Sequence, residues 1–237
     1  MSDWLKPITK EILLSKLNDN LLEWIPNLSK QKYWDDIVKG INETIKKGKV
    51  IYPNLCCVFR ALNELPLNKF RVLIIGQDPY PTPGFADGFS FSVRSGKQIP
   101  RSLANIFSEI DRTFESDMST RNASNGDLEK WNERGVLLLN TVLTIGDRNE
   151  SHVQIHWQDF TQDVIQYLDE NYTFVTIAMG SYAKKVSEII TKNKANVITV
   201  GHPSPLNTTN KFYGCNCFED CNNKLMENGL LPINWVF

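Results

Sequence analysis

Four residues able to polarise a bond or move a proton stand at or just past the ends of short apolar runs. Arg71-Val72-Leu73-Ile74-Ile75 leads into Gly76-Gln77-Asp78-Pro79-Tyr80-Pro81, and residues 136–139 lead into Asn140-Thr141. Residues 173–178 lead into Met179-Gly180-Ser181, and residues 197–200 into Gly201-His202-Pro203-Ser204-Pro205-Leu206. A carboxylate at Asp78, beside a reacting carbon, can stabilise developing positive charge, orient water or take its proton. The Asn140 amide offers a donor and an acceptor in one plane, so it can read a planar ring with the complementary pair. His202, on a loop stiffened by Pro203, can donate a hydrogen bond to an oxygen that becomes anionic. Tyr80 or Phe91 can stack on such a ring or close off one edge. The chemistry suggested is bond breaking at a planar heterocycle.

Residues so far apart in sequence act together only if the fold gathers them. Each apolar, β-branched run has the composition of a strand buried on both faces, and each is followed by a helix-like stretch. Repeated β-α units imply a parallel sheet, whose strands present their carboxyl ends along one edge. The expected fold is therefore α/β, a single domain with a central four-stranded parallel sheet flanked by helices and the active site at the carboxyl ends of the strands. Residues 1–50 form its helical N-terminal part and 51–237 its catalytic core. Helices are expected over 11–24, 34–47, 52–65, 157–167, 182–190 and 218–226. Another is expected to be capped by Ser102 and to run to about Phe114. Residues 85–93 alternate aromatic and small side chains, as a short strand or an extended loop, and 118–125 reads as a mobile loop.

A chain of 237 residues, 41% hydrophobic, can bury one sizeable core. Its net charge of −1 does not by itself point to a nucleic-acid partner, although binding depends on the cations that meet phosphate rather than on the total. No apolar run reaches membrane-spanning length. The polar first ten residues fit neither a secretory signal nor a transit peptide, so a cytoplasmic or nuclear location is expected. Five cysteines, an odd number, suit a reducing compartment. Cys215, Cys217 and Cys221 lack the usual C-x2-C spacing and a fourth ligand, so free thiols are expected rather than a metal or iron–sulfur site. No phosphate-binding glycine loop and no Gly-x-Ser-x-Gly elbow occurs, which argues against dinucleotide, nucleoside-triphosphate and serine-nucleophile chemistry.

Five motifs in order carry a resemblance. Gly76-Gln77-Asp78-Pro79-Tyr80, residues 88–93 (Gly-Phe-Ser-Phe-Ser-Val), residues 137–144 (Leu-Leu-Leu-Asn-Thr-Val-Leu-Thr), Gly180-Ser181-Tyr182-Ala183 and His202-Pro203-Ser204-Pro205-Leu206 resemble those of the family-1 uracil-DNA glycosylases. The similarity extends over roughly residues 50–235. It implies a metal-free, cofactor-free enzyme that releases uracil from DNA, single- or double-stranded, and leaves an abasic site. Asp78 would stabilise the sugar oxocarbenium ion and position water, and His202 would stay neutral and hydrogen-bond uracil O2. Asn140 would read O4 and N3, Tyr80 would exclude the thymine methyl group, Phe91 would stack, and the backbone at Gln77 and Asp78 would hold the base. Leu206 would be the wedge that enters the duplex, while Ser102, Ser181 and Ser204, with Arg101, would hold phosphates. A monomer is expected, with a proteinaceous glycosylase inhibitor or a replication protein as further partners.

The chain also departs from the family pattern. Pro81 stands where the family usually has His, which puts one water-organising contact in doubt. Asn207 replaces a usual Ser, and Glu219 and Asp220 replace Ser and Lys, making that edge more acidic. The loop before Ser102 has fewer prolines, with Arg101 offered in exchange. His152 and His156 belong to no motif and read as structural or solvent-facing. Two rival readings are a DNA-binding accessory that has lost the chemistry and a glycosylase with altered base choice. Asp78, Asn140 and His202 argue against the first, Tyr80 and Asn140 against the second.

Overall fold

The four apolar runs become β2 (Val72–Gly76), β3 (Val136–Asn140), β5 (Val175–Met179) and β6 (Val197–Val200) of one parallel sheet, in the order β3-β2-β5-β6. Every residue of β2, β3 and β5 is buried, as a sheet covered by helices on both faces requires, whereas β6 lies at the edge and is partly exposed. A separate antiparallel pair joins β1 (Ile51–Tyr52) to β4 (Ile145–Gly146). This computed structural model describes all residues except 1–3, 5, 20, 22–24, 26, 118–124, 208–211 and 237. Among the described residues, no helix is long and apolar enough to cross a membrane.

The register matters for function. Gly76 pairs with Asn140 at the carboxyl end of β2 and β3. Beyond the strands, the Thr141 N–H donates to the Gly76 carbonyl (3.1 Å) and the Val142 N–H to the Gln77 carbonyl (2.9 Å). The loop carrying Asp78 is thus anchored to the loop after Asn140 rather than left free.

Helices at Arg101–Phe114 and Glu129–Glu133 lie between β2 and β3, Trp157–Asn171 leads to β5, and Gly180–Ser187 crosses from β5 to β6. An aromatic cluster ties the N-terminal part to this core. Trp34, on helix Tyr33–Lys46, lies with its ring 5.1 Å from Phe160 and 6.3 Å from both Phe59 and Trp157, centroid to centroid. At the other end, Trp235 packs edge-on against Trp131 and Phe218. All five cysteines are free thiols.

Local periodicity misjudged several elements. The first helix spans only Lys10–Leu14. There the chain is captured by tertiary contacts: Asn63 accepts the Asn18 N–H (2.8 Å) and donates to the Lys16 carbonyl (2.7 Å). The remainder of the expected 11–24 helix lies partly outside the described residues. No single helix spans 52–65. Tyr52 pairs in a strand, Leu55–Cys57 is a 3-10 turn, and only Arg60–Asn63 is α-helical. Residues 85–93 form turns and extended loop without a strand, and most of 118–125 lies outside the described residues. Ser102 is not the cap of its helix. Pro100 holds that position in an extended conformation, and Ser102 falls in the first turn.

His152 is a core residue. Its ring nitrogens meet Thr44 Oγ1 at 3.0 Å and Thr144 Oγ1 at 2.7 Å, and burial pulls its pKa down to about 4. His156 is solvent-facing and pairs with Asp159.

Candidate active site

A pocket of about 210 Å³ opens at the carboxyl edge of the sheet. Gln77, Asp78, Tyr80, Phe91, Ser102, Asn140 and His202 all line it, drawn from four separate stretches of chain plus the first turn of helix Arg101–Phe114. Ser181, Ser204 and Leu206 line an adjoining groove that shares His202 with the pocket. Arg101 is exposed and lines neither. Leu206 is 89% exposed, an unusual place for a leucine and the opposite of a core residue.

Asn140 is the last residue of β3 and nearly fully buried, yet among the described residues its amide makes no side-chain hydrogen bond. A buried amide left open towards a pocket is suited to a ligand that brings its own donor and acceptor. Gly76 leaves it the room: a Cβ there would lie 2.2 Å from Asn140 Oδ1. Asp78 is half-buried, and desolvation raises its carboxyl pKa above the ordinary value, with its own backbone amide pulling the other way. A carboxylate so placed is less screened by water and acts more strongly on a neighbouring positive charge.

The histidine is oriented by its own loop. The Ser204 N–H lies 2.9 Å from His202 Nδ1, so that nitrogen accepts and the proton of the neutral ring sits on Nε2. Desolvation draws the His202 pKa below the usual histidine range, keeping it neutral at pH 7. The loop is pinned where Asn105 Nδ2 donates to the Pro203 carbonyl at 2.7 Å and Asn207 Nδ2 to the His202 carbonyl at 3.1 Å. Behind the ring, Gly180 has φ +93°, and a Cβ there would come within 2.9 Å of His202 Cβ.

The aromatic wall is coupled. The Tyr80 hydroxyl donates to the Phe91 carbonyl (3.2 Å), and Phe91 faces His202 across 6.3 Å between ring centroids. Burial raises the Tyr80 pKa, so its hydroxyl stays protonated. Pro81 lines the same pocket with an apolar ring. Among the described residues, no three His, Cys, Asp or Glu side chains gather in a way that could hold a metal ion.

Sequence reasoning missed several lining residues. Tyr182 borders the pocket, its hydroxyl 2.5 Å from Thr141 Oγ1 and accepting from Gln158 Nε2 at 2.7 Å. Its signal was present, since it follows Ser181 in a quoted motif. Met179, the last residue of β5, borders the pocket, and its strand-end position could have suggested it. Lys184, in the second turn of the following helix, borders the groove and left no such signal.

Known proteins resemble this chain in sequence and fold. Residues 62–226 match the model of the uracil DNA glycosylase superfamily. The uracil-DNA glycosylase of Campylobacter fetus is 39% identical over 96% of this chain and 97% of its own length. That of Caenorhabditis elegans is 37% identical over 97% of this chain and 82% of its own. The crystal structure of mimivirus uracil-DNA glycosylase superposes with a TM-score of 0.83 at 27% identity, covering 97% of this chain and 90% of that one. A variant of the mimivirus enzyme, solved in complex with UGI, gives the same TM-score at 26% identity, over 97% of this chain and 91% of its own. With its own strand ends carrying the motifs, and relatives matching nearly end to end, this chain belongs to the uracil-DNA glycosylase superfamily.

Proposed function

We propose that this protein excises uracil from DNA by hydrolysing the N-glycosidic bond of a deoxyuridine turned out of the helix, leaving an abasic site. The observation that carries the reading is the convergence of Asp78, Asn140, Tyr80, Phe91 and His202 on one pocket at the sheet edge. A base inside a duplex is out of reach of such a pocket, and turning it out costs a few kcal/mol of stacking and pairing. Leu206, exposed at a loop tip beside the groove, fills the gap left behind. Ser102, Ser181 and Ser204 hold the flanking phosphates, the first two from the first turns of their helices, and Arg101 supplies a nearby cation.

In the pocket, Phe91 stacks on the base and Tyr80 occupies the space a 5-methyl group needs. Asn140 gives its N–H to uracil O4 and accepts from N3–H, a pattern that cytosine reverses at both positions. The backbone at Gln77 and Asp78 steadies the ring. As the bond between C1′ and N1 breaks, its electron pair stays on the base and spreads to O2. The Nε2–H of neutral His202 meets that oxygen, and a donor fixed in advance costs no reorganisation when charge develops. Asp78 stabilises the positive charge left on the sugar and directs water to C1′. The hydroxyl adds to the sugar, and the remaining proton passes from water to the departing uracil. A protein inhibitor is a further partner, by analogy with the mimivirus variant solved in complex with UGI.

The test is incubation with matched oligonucleotides carrying uracil, thymine or a mismatched thymine, in EDTA, followed by alkali cleavage at abasic sites. Cleavage at uracil alone supports a metal-independent uracil glycosylase. Intact binding without cleavage would instead favour an accessory protein that has lost the chemistry.

A further inference from the structure

Residues 86–93 supply one wall of the pocket but belong to no helix or strand; the Ser90 N–H donates to the Leu138 carbonyl and the Val93 N–H to the Gly126 carbonyl, both at 3.0 Å. A buried carboxylate adds to these two bonds. Asp87 is fully buried; its Oδ1 accepts the Phe89 N–H (3.1 Å) and its Oδ2 the Ser92 hydroxyl (2.6 Å). Ser92 Oγ in turn accepts the Leu128 N–H at 3.1 Å, tying the loop to the segment before Glu129. Arg60 closes the cluster: one guanidinium nitrogen lies 3.6 Å from Asp87, and the guanidinium carbon lies 4.4 Å above the Phe89 ring. The same side chain reaches Glu64 and Glu129 at 3.0 Å each.

The loop needs a clamp because of Phe91. Its φ of +63° lies in the left-handed region, which a bulky L-residue occupies only when its surroundings dictate it. Asp87 binds the chain at Phe89 and at Ser92, on both sides of that residue. Through the Phe91 carbonyl, the same conformation sets where the Tyr80 hydroxyl is tethered.

We infer that Asp87 is a positioning residue for base choice: it holds Phe91 in its stacking position and, through the Phe91 carbonyl, holds Tyr80 where it shuts out a 5-methyl pyrimidine. The inference rests on the glycosylase reading above. It assigns base selectivity to a carboxylate that touches no substrate.

The experiment compares wild type, Asp87→Asn and Asp87→Leu for kcat and KM on uracil, for thymine release, and for amide exchange at residues 89–92. Asparagine still accepts the Phe89 N–H and turns its own N–H to Ser92 Oγ, whose hydrogen then reaches the Gly126 carbonyl 3.4 Å away. Asp87→Asn should therefore stay within about threefold of wild type. Asp87→Leu should speed exchange at 89–92, lower kcat/KM on uracil about tenfold, and raise the thymine-to-uracil release ratio by a similar factor. A role in folding alone would lower the melting temperature and leave that ratio unmoved, which would overturn the inference. If Asp87→Leu does not fold, Ser92→Ala takes its place: a raised ratio supports the clamp and an unchanged one overturns it. A wild-type protein that releases no uracil overturns the glycosylase reading itself, and the inference with it. An active wild type with an unaffected Asp87→Leu overturns the inference alone.

Discussion

Gly180 and Gly48 offer a matched pair that separates backbone strain from active-site geometry. Both have positive φ, +93° and +70°, so alanine at either is forced into a region that costs an L-residue about 1–2 kcal/mol. For a chain of this size, each kcal/mol lowers the melting temperature by about 2–4 °C, so both variants should lose about 2–8 °C. Their surroundings differ. Around Gly48 a Cβ meets nothing within 4 Å, whereas at Gly180 it lies 2.9 Å from His202 Cβ, 3.1 Å from Cδ2 and 3.4 Å from Cγ. Carbon atoms pack at about 3.5–4.0 Å, so the imidazole must retreat by about 0.6 Å or more. A misplacement of about 1 Å in a catalytic group can cost about a hundredfold. Gly180→Ala should therefore lose about tenfold to a hundredfold in kcat/KM on a uracil oligonucleotide, chiefly in kcat, while Gly48→Ala keeps wild-type turnover. Thermal melts and steady-state kinetics on both variants decide the matter. Wild-type kcat/KM in a Gly180→Ala protein that melts several degrees lower would refute the role given to the position of His202, and so would an equal activity loss in Gly48→Ala.

Asp78→Asn should lose at least about a hundredfold in kcat yet still bind uracil-containing DNA, and near-normal turnover would mean that the carboxylate does something else. Tyr80→Ala should raise thymine release about tenfold or more, read by alkali cleavage of a thymine oligonucleotide, and no rise would sink the steric account of base choice. His152 sets a pH dependence of stability. Its folded pKa of about 4 lies below the ordinary 6.5, so the unfolded chain binds a proton that the native one refuses. Stability from this residue is complete above pH 6.5 and is lost as pH falls towards 4, by at most about 3 kcal/mol. Urea melts at pH 7 and 4.5 should show a smaller acid loss in His152→Gln than in wild type, and equal losses would contradict the assignment.

The sequence was legible where chemistry and fold share one signal. Buried parallel strands leave apolar runs, and the polar residues that end them are the ones that meet, so Asp78, Asn140, Ser181 and His202 could be placed from the runs alone. What the sequence hid depends on contacts between distant segments. The 52–65 stretch has helical apolar spacing, but Tyr52 finds a strand partner in Ile145 and Asn63 spends its amide on residues 16 and 18. Ser102 looked like a cap because the residue type favours caps, yet Pro100 already holds the extended conformation that a cap requires. Asp87 lies in the 85–93 stretch, which the sequence marks only as a short strand or an extended loop. Only the approach of Arg60, far upstream, and of Ser92, five residues on in a loop without a regular period, makes it a buried clamp.

The net charge of −1 left open how this chain would grip a polyanion, and the helix ends bear on that. Of the described helices of eight residues or more, Tyr33–Lys46, Trp157–Asn171 and Cys217–Glu227 carry aspartate or glutamate in their first turns. Arg101–Phe114 and Gly180–Ser187 carry no acid there and no side-chain cap, and these two begin at the pocket and the groove. Their open N–H groups and positive dipole ends are what an incoming phosphate would meet. A designer seeking stability would place a carboxylate there, gaining about 0.3–1 kcal/mol. Ser181→Asp should therefore melt no lower than wild type yet bind uracil-containing DNA more weakly, in a titration at several salt concentrations. Its dependence of log K on log salt should flatten as one phosphate contact is lost. A Ser181→Asp protein with wild-type affinity and salt slope would show that this helix end meets no phosphate, and the grip would have to come from the Arg101–Phe114 helix end, Ser204 and the basic side chains.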